Sequence, residues 1–350
     1  MIKRLSHLPG GKYFFMYATN KLRYFIYKAV RSTKVAYPST VMIELSAHCN
    51  LKCTTCPREY GYGEAMDKGY MPVENAKKII DELWPYLDSV GLTGMGETLL
   101  YKDLLDIADY IKNKNKGIIL SLSTNATTPK FIETIRPLVG KIDTIQISID
   151  GLGETYNQIR HNANFETLDR NLRSLKDLFS QDTTFMLNMV VTKENYHQMA
   201  AMIEYSQEIG INYMNFTLFN LASLTSIPSN YYDFYKSEEF LSELKKMRET
   251  QKRITNVEVS HWDYETPNGF RKCSLPWSHF AISWNGEVPP CCAKPFPKEL
   301  SFGNVAKDGV LQVLNSKEFM AFRKLWYRNQ TPNFCKKCHY IDIEPINTDN

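Results

Sequence analysis

From residue 41 onward, short apolar runs alternate with longer segments whose apolar residues recur at helical spacing. The runs at 41–46, 89–93, 117–123, 143–149, 184–191 and 212–218 carry β-branched or aromatic residues, which predicts strands. The segments 73–87, 101–114, 129–139, 165–180, 195–209 and 237–254 read as helices; in 195–209, Met199, Met202, Ile203 and Ser206 fall on one face. Six strand–helix units in series predict an α/β fold with a parallel sheet and right-handed crossovers. Six are too few to close an eight-fold barrel.

The first 40 residues differ in kind. They hold Lys3, Arg4, Lys12, Lys21, Arg23, Lys28, Arg31 and Lys34 and no acid, interleaved with Tyr13, Phe14, Phe15, Tyr17, Leu22, Tyr24, Phe25, Ile26 and Tyr27. A helix over about 11–31 is predicted. Either its aromatic face docks on the barrel and its lysines stay in water, or it meets an anionic membrane surface or an anionic substrate carrier.

A chain of 350 residues with 43% apolar content suits one large domain and a smaller one. The expected division is 1–40, 41–255 and 256–350. The net charge of +4 gives no global electrostatic case for nucleic acid. No stretch approaches the ~20 apolar residues of a membrane span. A basic start without an apolar secretory core, together with the cysteine pattern, leads us to expect a reducing cytoplasm.

The eight cysteines fall into two sets. Cys49, Cys53 and Cys56 form one run directly after the first strand. A disulfide framework does not suit a chain of this length, and structural zinc usually shows two cysteine pairs. Three thiolates at this spacing reach three corners of a [4Fe–4S] cube and leave one iron open. The second set is Cys273, Cys291, Cys292, Cys335 and Cys338. A hairpin around Asn285–Gly286 would bring Cys273 near Cys291, and the terminal pair would add two thiolates. Spacing alone leaves a closed iron–sulfur cluster and a zinc site both open for it.

CxxxCxxC opening the loop after a first strand resembles the radical S-adenosylmethionine (SAM) superfamily. The resemblance implies an open, TIM-like (β/α)6 partial barrel, with active residues at the C-terminal ends of its strands. It also implies SAM chelated to the open iron by its amine and carboxylate, and a reductant such as flavodoxin or ferredoxin. Thr55 departs from the family's usual aromatic residue before the last cysteine. Thr93–Glu97 resembles the GGE-type motif, so Gly94, Gly96 and Glu97 are expected at the methionyl amine; Met95 replaces a small residue. Leu122–Ala126 resembles the TNG segment, with Ser123 and Asn125 as polar contacts and Ala126 in place of glycine. Ile147–Gly151 resembles SIDG, with Ser148 on SAM and Asp150 either on the ligand or anchoring the turn. Arg160, in a YxxIR segment resembling the SPASM branch, pairs either with the SAM carboxylate or with a surface acid. Backbone near Asn215–Leu218 would face adenine.

The C-terminal pattern resembles the SPASM/twitch domain in its shorter form. That form implies one auxiliary [4Fe–4S] cluster on Cys273, Cys291, Cys335 and Cys338, hence two clusters in all. It resembles single-auxiliary-cluster enzymes such as 2-deoxy-scyllo-inosamine dehydrogenase. The implied reaction cleaves SAM to a 5′-deoxyadenosyl radical and takes hydrogen from a small polar metabolite. Oxidation of a sugar- or cyclitol-type alcohol is expected, with the auxiliary cluster accepting the electron. His261, Asp263, Tyr264 and Glu265 are candidate bases. Cys292 is either a packed thiol or the hydrogen donor of an epimerase. Ribosomal-peptide maturation by a thioether or C–C crosslink is the alternative, disfavoured by the short segment before the first strand. A non-catalytic metal scaffold is the reading from another class.

Overall fold

The computed structural model describes residues 8–179, 182–221, 227, 229–262, 273–335 and 338. All six expected strands form, as β1 (Thr40–Ile43), β3 (Ser89–Leu92), β4 (Ile119–Thr124), β5 (Thr144–Ser148), β7 (Thr184–Val191) and β8 (Tyr213–Leu218). Two more join them, β9 (Glu258–His261) and β10 (Phe280–Ile282). The result is an eight-stranded parallel sheet in the order β10-β1-β3-β4-β5-β7-β8-β9. The six expected strands form the contiguous middle of the sheet, and two further strands extend it to eight. Both additions come from the segment after residue 255, and each extends one edge. β9 and β10 are not paired with each other, so the barrel stays open.

Helices α2 (Val73–Leu83), α3 (Leu104–Lys114), α4 (Phe165–Arg173), α5 (Met199–Ile209) and α6 (Glu238–Arg253) follow strands in the expected alternation. Their apolar faces close over the outward side chains of the sheet. Ile79, Ile80, Leu83, Ile107, Ile111, Leu168, Leu172 and Met202 are at most 1% exposed, as are Val90, Leu120, Leu122, Ile145 and Leu187 beneath them. Many strand residues pointing the other way are polar and half-buried, with Met42, Ile119, Met186 and Val190 among the apolar exceptions. Ser121, Ser123, Gln146 and Ser148 alternate with the buried set because strand side chains change face at each residue. The barrel thus has an apolar outer layer and a mixed inner face that is polar along β4 and β5.

At its N-terminus, α1 (Lys12–Ala29) rests against the starts of β1 and β3. Tyr17 Oη donates to Asp88 Oδ1 at 2.7 Å, and Asn20 Nδ2 donates to Tyr37 O at 2.9 Å. At the C-terminus, α7 (Lys317–Tyr327) packs Phe319 on Phe302, with ring centroids 4.0 Å apart. Its buried Arg323 donates to Pro276 O at 2.8 Å and Leu314 O at 2.7 Å. Asn285–Gly286 is the tip of a tight turn as expected, with Gly286 at φ 87° and its N–H on Ser283 O at 2.8 Å.

Candidate active site

The three clustered cysteines leave the C-terminal end of β1. Their loop is tied down on several sides. A two-residue strand, β2 (Lys52–Cys53), pairs antiparallel with β6 (Arg160–His161), setting Cys53 opposite Arg160. Thr54 N donates to Ile159 O at 2.8 Å, and Cys56 N to Cys53 O at 3.1 Å. The three thiols lie near enough to act on one another electrostatically. Burial raises the pKa of Cys49 and pushes Cys53 up to about 11 and Cys56 up to about 12. As thiolates they therefore need a cation. Leu51 N–H points at Cys49 Sγ from 3.4 Å, and Asn125 Nδ2 from 3.9 Å, while Arg58 and Arg160 act on Cys49 from nearby. Three half-buried thiols with N–H donors and two guanidiniums suit an anionic iron–sulfur centre. Among the described residues, no three His, Cys, Asp or Glu side chains converge as ligands of one metal ion. Ligands of separate irons in a cube stand further apart than that.

Behind this loop the glycine-rich turn after β3 presses close. A Cβ on Gly96 would lie 2.2 Å from Ser46 O and 2.6 Å from His48 O, so only glycine fits. Glu97 N then donates to His48 O at 2.7 Å. Glu97 itself is 3% exposed, and its oxygens accept from Leu99 N at 3.0 Å and Asn125 N at 2.8 Å. It ties the turns after β3 and β4 together. Asn125 Nδ2 reaches Asn50 Oδ1 at 2.9 Å, inside the cysteine loop, and its Oδ1 accepts from Thr127 N. Ala126 adopts φ 56°, the left-handed conformation for which a glycine stands in the resembling motif. Gly96, Glu97 and Asn125 are thus gathered around the cysteine loop, while Gly94 packs against Glu44 and Ser123 is a half-buried residue of β4.

Asp150 and Arg160 come together as a buried ion pair. Arg160 Nε and Nη2 donate to Asp150 Oδ2 at 3.0 and 2.9 Å, with side-chain exposures of 9% and 0%. Asp150 Oδ1 accepts from Val190 N at 2.9 Å, and Asn195 Nδ2 donates to Asp150 O at 3.0 Å. Burial would lower the Arg160 pKa, but Asp150 and Cys53 more than offset it and hold it above its ordinary value. Through these bonds Asp150 ties the turn after β5 to β7 and the segment that follows it. Arg160 is paired in the interior, in place of the surface acid considered from sequence.

One layer deeper, Ser148, Asn188, Asn215 and Ser260 stand in register across β5, β7, β8 and β9. Asn215 Nδ2 donates to Asn188 Oδ1 at 2.7 Å, and Ser260 Oγ to Asn215 Oδ1 at 2.6 Å. Leu218 ends β8 and is 6% exposed. His261 ends β9, with its Nδ1 2.7 Å from Trp262 O. Asp263, Tyr264 and Glu265 lie outside the described residues.

Sequence reasoning missed Glu44, the residue after β1. It is 4% exposed, and its oxygens accept from Met95 N at 2.6 Å and Trp284 N at 3.2 Å. One carboxylate therefore bridges the glycine turn and the C-terminal hairpin. Burial raises its pKa against those amide bonds. The available signal was a lone acid inside the apolar run 41–46.

The second cysteine set assembles around the Cys291–Cys292 segment. Cys273, Cys291 and Cys338 are each 8% exposed. Cys335 feels the charges of Cys291, Cys338 and Cys273. Asn220, just past β8, donates to Ala293 O at 2.7 Å, which holds the Cys291–Cys292 segment at the barrel mouth. Lys294 Nζ bonds Glu299 Oε1 at 2.5 Å and Phe334 O at 2.8 Å, linking that segment to the terminal cysteine pair. Burial pushes Cys273 and Cys292 up to about 12. Cys292 interacts with Cys291 and shares its mostly buried setting.

Comparison with known proteins agrees with this layout. The profile of the Radical SAM superfamily matches residues 43–206, and that of the SPASM iron–sulfur cluster-binding domain matches residues 273–339. The tungsten-containing aldehyde ferredoxin oxidoreductase cofactor-modifying protein of Pyrococcus furiosus is 24% identical over 326 residues, covering 86% of this chain and 87% of that protein. The antilisterial bacteriocin subtilosin biosynthesis protein AlbA of Bacillus subtilis is 24% identical over 318 residues, covering 88% of this chain and 65% of AlbA. Among solved structures, Streptococcus suis SuiB bound to precursor peptide SuiA superposes with a TM-score of 0.67 at 16% identity, covering 91% of this chain and 73% of SuiB. Native anSMEcpe with bound AdoMet gives a TM-score of 0.63 at 20% identity, covering 87% of this chain and 88% of that one. The partial barrel thus contains the stretch similar to the Radical SAM superfamily, residues 43–206, and the C-terminal part contains the stretch similar to the SPASM iron–sulfur cluster-binding domain, residues 273–339.

Proposed function

We propose that the chain abstracts hydrogen from a substrate held at the barrel mouth between two iron–sulfur centres. The observation that carries this is the division of its eight cysteines, all described, into a set of three behind β1 and a set with four ligand candidates near β8. Cys49, Cys53 and Cys56 would hold one [4Fe–4S] cluster. Cys273, Cys291, Cys335 and Cys338 would hold a second. With SAM bound at the first, the pair supplies a 5′-deoxyadenosyl radical, and the second supplies an electron sink. The chain's own part is positioning. Gly96 lets the backbone close on the cysteine loop, Glu97 and Asn125 lock the turns around it, and the Asp150–Arg160 pair braces Cys53. Ser123, Ser148 and the free face of the Gly94–Gly96 turn are the groups we assign to SAM.

For the substrate, the relatives favour a peptide over the alcohol expected from the chain alone. SuiB is solved with a precursor peptide, and AlbA is named for bacteriocin biosynthesis. A second reading, oxidation of a small polar alcohol, draws on the amide and hydroxyl ladder of Asn188, Asn215 and Ser260, which suits hydroxyl groups. Anaerobic reconstitution with SAM and dithionite tests the reaction class: absence of 5′-deoxyadenosine would sink it. Adding deuterated short peptides encoded beside the gene, or deuterated polyols, separates the substrates. Label should reach 5′-deoxyadenosine from the peptide and not from the polyol.

A further inference from the structure

The N-terminal helix takes no part in the chemistry above, yet it is asymmetric in a way that calls for a ligand. Its inner side is spoken for. The Tyr13 ring lies 4.4 Å from that of Trp84, Tyr17 and Lys21 bind Asp88, and Asn20 exchanges hydrogen bonds with the Tyr37 backbone. On the opposite side Phe14, Phe15, Leu22, Phe25 and Ile26 are 42%, 70%, 60%, 63% and 49% exposed. At 3.6 residues per turn these five share one sector about a third of the helix circumference wide. Lys12 and Arg23 border the sector on one side and Lys28 on the other, all exposed. Residues 8–40 contain no acid.

We propose that α1 is an interfacial anchor lying in the plane of an anionic lipid surface. The Phe14–Ile26 stripe would sit at the acyl boundary, and Lys12, Arg23 and Lys28 on headgroup phosphates. Charge complementarity selects this occupant. Cations on both borders suit a surface that is negative everywhere, and the middle of the stripe offers no polar group for a protein partner to pair. A second copy fits worse. A twofold contact through the stripe brings the cations of the two helices together with no acid in the segment to offset them. No helix among the described residues is long and apolar enough to cross a membrane, so the helix would lie on the bilayer. It packs at the N-terminal ends of β1 and β3, whereas Cys49, Cys53 and Cys56 follow the C-terminal end of β1. The catalytic mouth would then face away from the lipid and draw substrate from the water.

Flotation of the full reconstituted chain tests the proposal, with vesicles of phosphatidylcholine alone or mixed with phosphatidylglycerol. We expect at least tenfold more protein on the anionic vesicles, a loss at raised salt, and a return to background for F15E/F25E. Those two side chains point into water, so the variant should keep its iron content and its 5′-deoxyadenosine yield. Equal flotation on neutral vesicles, no flotation on anionic ones, or binding undiminished in the variant would each overturn it. So would a concentration-dependent dimer in light scattering that F15E/F25E abolishes, because the stripe would then belong to a second copy.

Discussion

Substituting Asp150 with Asn removes one charge from the interior and changes almost no volume. Asp150 is fully buried and accepts from Arg160 Nε at 3.0 Å, Arg160 Nη2 at 2.9 Å and Val190 N at 2.9 Å. Both Arg160 bonds fall on Oδ2 and that from Val190 on Oδ1, so the asparagine amide must face either Val190 N–H or both guanidinium donors, and Arg160 loses its counter-charge in either orientation. Two charge-assisted bonds at about 1.5–3 kcal/mol each put the loss near 3–6 kcal/mol. Removing one partner of a buried pair gives a similar figure, roughly 3–5 kcal/mol. Arg160 also stands opposite Cys53 in the β2–β6 pairing, so a displaced guanidinium disturbs the cysteine loop. Urea unfolding of the barrel should register the loss, and the reconstituted variant should retain less iron on Cys49, Cys53 and Cys56. R160M should cost a comparable amount, and D150N/R160M less than the sum of the two. A D150N loss below about 1 kcal/mol, typical of exposed pairs, would refute the reasoning, as would strict additivity in the double variant.

Three further outcomes are expected. Gly96→Ala should weaken SAM binding more than tenfold in equilibrium dialysis, because its Cβ would stand 2.2 Å from backbone oxygen that cannot yield; wild-type affinity would remove the close approach from the argument. Ala126→Gly should raise the thermal midpoint, since relief of a left-handed alanine, about 1–2 kcal/mol, exceeds the added chain entropy of roughly 0.5–1 kcal/mol. Glu44 has a pKa raised by burial above its value of 4.5, so the folded chain holds an extra proton just above that pH. Its contribution to stability is fully present below 4.5 and falls as pH rises through the raised value. Glu44→Gln should flatten that slope in urea midpoints measured from pH 4.5 upward, and an unchanged slope would assign the proton elsewhere.

Six of the eight barrel strands were legible because β-branched and other apolar residues recur at alternate positions on their buried face. The other two carry no such signal. β9 reads Glu-Val-Ser-His and is half-exposed on the edge, and β10 has only three residues, Phe280–Ile282. The cysteine sets were legible from spacing, since metal ligation constrains sequence as well as space. Side-chain aim was not. Arg160 and Asp150 are separated by a short helix, Gly153–Ile159, whose turn decides that they meet, and no periodicity encodes that turn. Glu44 was hidden by its neighbours: inside Val41–Ser46 a single acid looks like a tolerated exception, whereas its amide partners come from Met95 and Trp284.

The pairing of β1 with β10, Val41 against Phe280 through Ile43 against Ile282, bears on how the chain is made. β1 is completed early in synthesis, but its outer row of backbone amides waits for a strand that emerges after the whole first barrel. Until then it is an open edge able to recruit any extended chain nearby. The segment that matches the SPASM model is thus part of the barrel's sheet as well as a carrier of cysteines. A chain cut before residue 280 should aggregate through the very strand that delivers the first cysteine loop.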